Sequence, residues 1–231
     1  MAILLHIDTA LENAMLALSK DDHCIDSRSN SIQNDHAAWM HTAIDALLKD
    51  NNLHPADLDA IAVTIGPGSY TGLRVGLSTA KGLCYALNKP LLTISSLQLL
   101  AASAVDQMAN NIASAKTTGS DIIICPMIDA RRMEVYYARY DVVLTELSMP
   151  TALVLDENSF SAELALKKII FCGNAIEKIK KVCSRPQAIF CEHTAGAREM
   201  AALAFKKYVK KEFADLAYSV PLYVKEFQQR N

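Results

Sequence analysis

Glycine is scarce: 8 of 231 residues, five of them within 17 positions. No sign of charge dominates either. There are 23 Lys and Arg against 25 Asp and Glu, a formal net charge of −2. Such a chain is a poor nucleic-acid binder by itself, because that affinity comes from neutralised phosphates. Any role with RNA must rest on a local basic patch or on a partner. No apolar run approaches the roughly 18–20 residues that span a bilayer. The opening Met1–Asp8 has no basic stretch and soon meets an aspartate, unlike a signal peptide. No CxxC pair occurs among Cys24, Cys84, Cys125, Cys172, Cys183 and Cys191. This excludes a zinc knuckle and suits buried, reduced thiols in a cytoplasmic protein without a bound metal. What is plentiful is apolar residues, 51% against 21% charged, an ordinary globular balance. The length suffices for one large domain or two small ones with real cores.

Hydrophobic patterning predicts strands over Ala2–Ile7, Asn13–Ser19 and His23–Ser29, then a helix from about Asn34 to Lys49. A strand over Ala60–Ile65, a helix over Thr71–Leu87, a strand over Leu91–Ile94 and a helix over Ser95–Asn110 follow. Asn111–Ser120 is polar and reads as a linker. The second half repeats the order. Its strands are Ile122–Ile128, Val135–Tyr140 and Val142–Leu147, with a helix over about Asn158–Leu166. Then come a strand over Lys168–Cys172, a helix over Ala175–Cys183, a strand over Ala188–Cys191 and a helix over Thr194–Lys210. Each half reads βββαβαβα. The matching strings predict a duplicated α/β fold with mixed sheets, the actin–Hsp70–sugar kinase (ASKHA) architecture, with lobes at 1–110 and 111–231.

In that architecture the turn after the first strand of each half holds phosphate. Here those turns begin at Asp8 and Asp129. Two readings stand: a pair of carboxylates organising metal or water, or aspartates that cap their own turns. Neither turn contains the glycine that lets backbone N–H groups approach a phosphate. ATP hydrolysis is therefore not expected.

Of the five clustered glycines, Gly66, Gly68, Gly72, Gly76 and Gly82, the first four lie in Ile65-Gly-Pro-Gly-Ser-Tyr-Thr-Gly-Leu-Arg-Val-Gly76, which runs from a strand end into a helix. No GKS or GKT closes it as a Walker loop. The dinucleotide fingerprint GxGxxG would need glycine where Thr71 stands. Gly76-Leu-Ser78-Thr-Ala80 lies inside the helix, not on the turn that a nucleophile elbow requires. Gly66 and Gly68 permit unusual backbone angles around Pro67, and Ser69 or Thr71 can cap the helix. Such an end is either a tight strand–helix turn or an anion site.

Within the helix, Gly72, Gly76 and Ala80 recur every four residues. Glycine costs roughly 1 kcal/mol against alanine there, so the ridge predicts the close approach of another helix backbone. Leu73 with Leu77, and Val75 with Leu83, add flanking apolar surface. The preceding helix has a core stripe at Met40, Ile44, Leu47 and Leu48, and also carries Trp39, Ala43 and Ala46. Surplus apolar arcs mark either a protein interface or burial within the monomer.

The string Gly66–Gly76 resembles the signature of the bacterial TsaB (YeaZ) family. So do Ile7-Asp8-Thr9-Ala10, Asp129-Ala-Arg-Arg-Met-Glu-Val-Tyr136 and Pro221-Leu-Tyr-Val-Lys225, so the match runs from the first strand to the tail. Met133 stands where the family usually has glycine, and Val224-Lys225 where it usually has Leu-Arg. The resemblance implies a subunit, without catalytic residues, of the machinery that makes threonylcarbamoyladenosine in tRNAs reading codons that begin with A. It implies a TsaD-like catalytic partner and a TsaE-like ATPase. ATP would be used by the complex, nothing would be tightly bound, and tRNA would be met only through the complex. Pairing through the first two helices would place His36, Trp39, Met40, Ala43, Gly72, Leu73, Val75, Gly76, Thr79 and Ala80 at the interface. The anion or nucleotide contacts would be Asp8, Thr9, Gly66, Gly68, Ser69, Asp129 and Arg131. The alternatives are a homodimer acting alone, and a nucleotide-dependent enzyme or glycoprotease-like metallopeptidase of the same fold.

His36 and His41, about 140° apart around a helix, do not converge on a metal. Lys206, Lys207, Lys210 and Lys211 read as a solvated helix end or as a tRNA-backbone contact, to which Arg131 and Arg132 would add.

Overall fold

The computed structural model describes residues 1–32, 36–114, 121–192 and 195–225. Two five-stranded mixed sheets carry the fold. The first holds β1 (Ile3–Asp8), β2 (Ala14–Lys20), β3 (His23–Asn30), β4 (Ala60–Gly66) and β5 (Leu91–Ser95), in the order β3-β2-β1-β4-β5. The second holds β6 (Ile122–Asp129), β7 (Glu134–Tyr140), β8 (Glu146–Val154), β9 (Lys168–Cys172) and β10 (Ala188–Cys191), in the order β8-β7-β6-β9-β10. In each sheet the first three strands form an antiparallel meander, and the first also pairs in parallel with the fourth. The duplicated ASKHA topology predicted from element order is present. Gly66 at the end of β4 and Gly173 just after β9 sit at corresponding places, with φ +113° and +103°. A side chain at Gly173 would meet the Met127 carbonyl oxygen at 2.2 Å.

The helices are α1 (His36–Asp50), α2 (Tyr70–Leu87), α3 (Ser96–Ser114), α4 (Ser161–Leu164), α5 (Ile176–Val182) and α6 (Ala197–Val209). The compact units do not follow the division at residue 110. One comprises Met1–Ser96 with Gly196–Leu222, the other the described residues of Leu97–Ala195 with Tyr223–Lys225. Packing decides this: α6 lies against β1, β2, β3 and β5, so the C-terminal helix completes the first unit. Helix α3 reaches Ser114, into the expected linker; residues 115–120 of that stretch lie outside the described residues.

In the first unit, Leu5, Ile7, Leu16, Leu18, Ile61 and Val63 form one core with Met40, Leu47 and Leu77 of α1 and α2. The β-pleat turns the intervening residues, His6 among them, to the opposite face. In the second unit, Phe160 meets Tyr137 and Phe171 edge-on, at centroid distances of 5.2 and 5.3 Å. All six cysteines are free, and all but Cys24 are buried. Burial pushes the Cys84 thiol up to about 12. Among the described residues no helix is long and apolar enough to cross a membrane.

Two expectations need correction. The strand over Val142–Leu147 is instead β8 at Glu146–Val154. Leu144 takes φ +67°, and the Asp141 carboxylate accepts the amides of Val143 and Thr145, so residues 141–145 form a turn. The helix over Asn158–Leu166 shrinks to Ser161–Leu164. Phe160 at φ +60° and the Asp156–Ser159 turn hold its start.

Candidate functional site

The glycine-rich string lies against the end of β1. A Cβ on Gly68 would stand 2.2 Å from the Ala10 carbonyl oxygen, and one on Gly72 would stand 2.1 Å from that of Thr9. One on Gly76 would meet Thr9 Oγ1 at 2.3 Å. The ridge therefore admits the turn after β1, not a second helix. The sequence identified a close backbone approach and assigned it the wrong neighbour.

Hydrogen bonds knit the contact. Thr9 Oγ1 donates to the Gly72 carbonyl at 2.7 Å, and the Ser69 amide donates to the Ala10 carbonyl at 2.7 Å. Ser69 caps α2, its hydroxyl accepting from the Gly72 amide at 3.2 Å. Asp8 Oδ1 accepts from Thr64 Oγ1 at 2.7 Å and from the Ala10 amide at 3.0 Å. The Leu222 amide donates to the Ile65 carbonyl at 2.7 Å, and a Cβ on Gly66 would meet the Leu222 carbonyl oxygen at 2.8 Å. The Pro221–Lys225 motif thus begins by backing the glycine string. Asp8, Thr9, Gly66, Gly68 and Ser69 lie together, and the side chains of Asp8, Thr9 and Ser69 bond to Thr64, Ala10 and Gly72 around them.

In the second unit Asp129 caps its own turn in the same way, Oδ1 accepting from the Arg131 amide at 2.7 Å. The same oxygen takes Lys178 Nζ at 2.8 Å. The two equivalent aspartates differ in charge preference. Burial pushes the Asp8 carboxyl up, against the hydrogen bonds from Thr64 and Ala10. Burial acts upward on Asp129 as well, but Lys178 and the Arg131 amide outweigh it and hold that carboxyl low. Arg131 and Arg132 take φ +76° and +48°, and both are exposed. Among the described residues no three His, Cys, Asp or Glu side chains stand close enough to hold a metal ion.

Of the expected interface set, Met40, Ala43, Gly72, Leu73, Gly76 and Ala80 are buried within the first unit. That part of the set is corrected: these residues build the monomer. Trp39, Val75 and Thr79 keep partial exposure. The His36 side chain lies outside the described residues. The outward face of α2 carries Ser78, Gly82, Tyr85 and Ala86. Tyr85 is 83% exposed, and a Cβ on Gly82 would meet nothing within 4 Å. Arg74 lies over the Tyr70 ring, 4.0 Å from its centroid. Gly82 was read only as part of the glycine cluster; its position opposite the Gly72–Gly76 ridge is the signal that separates it.

Residues 29–227 match the family model described as TsaD: tRNA N6-adenosine threonylcarbamoyltransferase. The tRNA threonylcarbamoyladenosine biosynthesis protein TsaB of Bacillus subtilis is 35% identical over 137 residues, 59% of this chain and 54% of that protein. The protein of the same description from Haemophilus influenzae is 32% identical over 140 residues, 59% of this chain and 52% of its own. The chain thus spans about half the length of these curated relatives. A solved Pseudomonas aeruginosa protein, described as uncharacterized with similarity to peptidase YEAZ, has the same fold. Its TM-score is 0.81 at 24% identity, over 97% of this chain and all of that one.

Proposed function

The chain belongs to the TsaD family, in its TsaB (YeaZ) group, and from that premise we propose that it serves as a partner-binding, non-catalytic subunit in the biosynthesis of threonylcarbamoyladenosine in tRNA. The observation that carries the non-catalytic part is the internal bonding of the Asp8 knot. Its threonine, serine and aspartate side chains hold strand, turn and helix together, and a nucleophile or general base would have to break that set. The proposed partner is the TsaD-like transferase, with a TsaE-like ATPase joining. ATP is used by the assembly, in the cytoplasm where tRNA resides, and tRNA is met through the assembly.

The proposed contact is the outward surface along α1 and α2, centred on Trp39, Val75 and Thr79 and extended over Ser78 and Gly82. Val75, Thr79 and Leu83 recur every four residues and stay half-buried in the isolated chain. Glycine at 82 is unfavourable in an exposed helix by about 1 kcal/mol, and a partner backbone resting on it would account for it.

The test is capture of a TsaD-like protein by this chain from extract of its own cells, followed by titration of the purified pair. Stoichiometric binding is expected. Failure to bind, or ATP turnover by the chain alone that Asp8→Ala abolishes, would contradict the reading.

A further inference from the structure

The segment after α6 stays on the first unit and is anchored there from beneath. The Ala214 amide donates to the Leu91 carbonyl at 2.8 Å, and Ala214 and Leu216 pack against the core that the sheet forms with α1 and α2. Residues 215–219 then make a single turn. The Asp215 carboxylate accepts the amides of Ala217 at 2.8 Å and of Tyr218 at 3.0 Å, and the Asp215 carbonyl accepts that of Ser219 at 3.0 Å. From α2, Lys81 Nζ donates to the carbonyls of Ala217 and Ser219, at 3.1 and 3.2 Å. Those two residues stand on either side of Tyr218. Hydrogen bonds from a charged donor are stronger than those between neutral groups.

What the turn presents is Tyr218, 83% exposed. On α2, Tyr85 lies one helical turn after Lys81 and is equally exposed. Gly82 and Tyr85, three residues apart, are neighbours on the helix surface. Lys81 stands about 120° around α2 from Val75, so the turn it holds lies toward the side of the exposed face away from Val75. A single exposed tyrosine is ordinary on a protein surface. Here the ring stands on a backbone pinned by a carboxylate and a cation, and the tip of a surface loop needs no such pinning in order to fold. A tyrosine held in this way has little freedom left to lose on being covered, and it buries a large ring, as binding anchors do.

We infer that Lys81 is a positioning residue for partner binding: it fastens the 215–219 turn to α2 and so sets Tyr218, at the edge of the Gly82–Tyr85 surface, as a preformed aromatic contact. The inference rests on the subunit role proposed above. It takes the partner to be the TsaD-like transferase, because the Gly82–Tyr85 surface continues the contact proposed along Ser78 and Gly82. The partner segment that fits is a helix, its backbone resting on Gly82 and its flank meeting the tyrosine rings. Lys81 touches no partner and acts through Tyr218.

The experiment is a double-mutant cycle on the full chain, titrated with the purified TsaD-like transferase beside a thermal melt of each variant. Tyr218→Ala should weaken binding about tenfold, the scale of an interface anchor, and leave the melt near that of wild type. Lys81→Met should weaken binding about fivefold or more although it removes no contact with the partner. The double variant should bind no more weakly than Tyr218→Ala within about twofold, because the lysine works through the tyrosine. A Lys81→Met loss that multiplies in full with that of Tyr218→Ala would make the lysine a structural residue and overturn the inference. Wild-type affinity in Tyr218→Ala would also overturn it, as would an effect of that variant on self-association alone, which would give the turn to a second copy of the chain. Gly82→Arg is titrated in the same series. If it weakens binding while Tyr218→Ala does not, the turn fails as a contact and the subunit role stands. If the wild-type chain binds no transferase, the subunit role fails and this inference fails with it.

Discussion

Thr9 and Gly76 are in contact range across the first unit: a Cβ on Gly76 would stand 2.3 Å from Thr9 Oγ1. That hydroxyl is already committed to the Gly72 carbonyl at 2.7 Å. Threonine has no long, flexible arm to swing aside, so a larger residue at 76 must displace the turn or the helix. Gly76→Leu is therefore expected to destabilise the isolated chain by about 1–3 kcal/mol, the usual range for overpacking. Denaturant unfolding checks this. Had the ridge faced the backbone of a partner helix, as its four-residue spacing predicted, the same substitution would block the partner and leave the monomer folded.

Gly82 is the position where that separation is expected. Gly82→Ala removes an exposed helical glycine with open space around it, and should stabilise the isolated chain by about 0.5–1 kcal/mol. Gly82→Arg should leave the melting behaviour near wild type yet weaken binding of the TsaD-like partner at least tenfold. Calorimetric titration beside a thermal melt reads both. Unchanged affinity would move the interface off this face of α2.

His6 makes stability depend on pH. It is fully buried, with Nε2 2.8 Å from Ser19 Oγ. The Ser19 hydroxyl donates to the Asp21 carbonyl at 3.1 Å, so it accepts from His6 and the ring carries its proton on Nε2. Nδ1 has no partner. Burial lowers the ring from 6.5 to about 3. The unfolded chain takes up a proton as pH falls below about 6.5, and the folded chain does not until about 3. Stability should therefore decline as pH falls through that window, by up to about 1.4 kcal/mol per unit. His6→Gln should show a shallower slope between pH 6 and 4, and a slope equal to wild type would contradict the assignment.

Asp8 acts in the opposite sense. Its raised carboxyl means that stability falls as pH rises through the range just above 3.8. Asp8→Asn keeps an acceptor for Thr64 and Ala10 and removes a charge that burial disfavours, so it should be as stable as wild type or more so. Asp8→Ala leaves both donors without that acceptor and should cost about 1–3 kcal/mol. Chemical denaturation of the two variants at pH 7 tests the pair.

The order of elements was legible because both sheets combine buried strands with amphipathic helices. Lys168–Cys172 and Ala188–Cys191 match their predicted bounds at both ends. β8 was not, because Pro150 argues against a strand; as the sheet's edge strand, pairing only with β7, it tolerates one. The glycine string announced a close approach, but its neighbour Thr9 lies more than 60 residues away in sequence, and only the sheet order puts them together. The helix ridge was placed outward for the same reason: periodicity identifies a face without saying what covers it. The duplicated turn at Asp129 was legible, and the Lys178 that occupies it, 49 residues on, was not.

The most direct measurement is reconstitution of the modification with a TsaD-like transferase, a TsaE-like ATPase, threonylcarbamoyl-adenylate, ATP and tRNA, read by mass spectrometry of the nucleosides. Threonylcarbamoyladenosine should form only when this chain is present. It should fall sharply with Gly82→Arg and only in part with Asp8→Ala or Asp129→Ala, provided the assembly still forms. Full modification without the chain would contradict its place in the reaction. Complete loss with Asp8→Ala or Asp129→Ala in an intact assembly would give the chain a chemical role in place of a structural one.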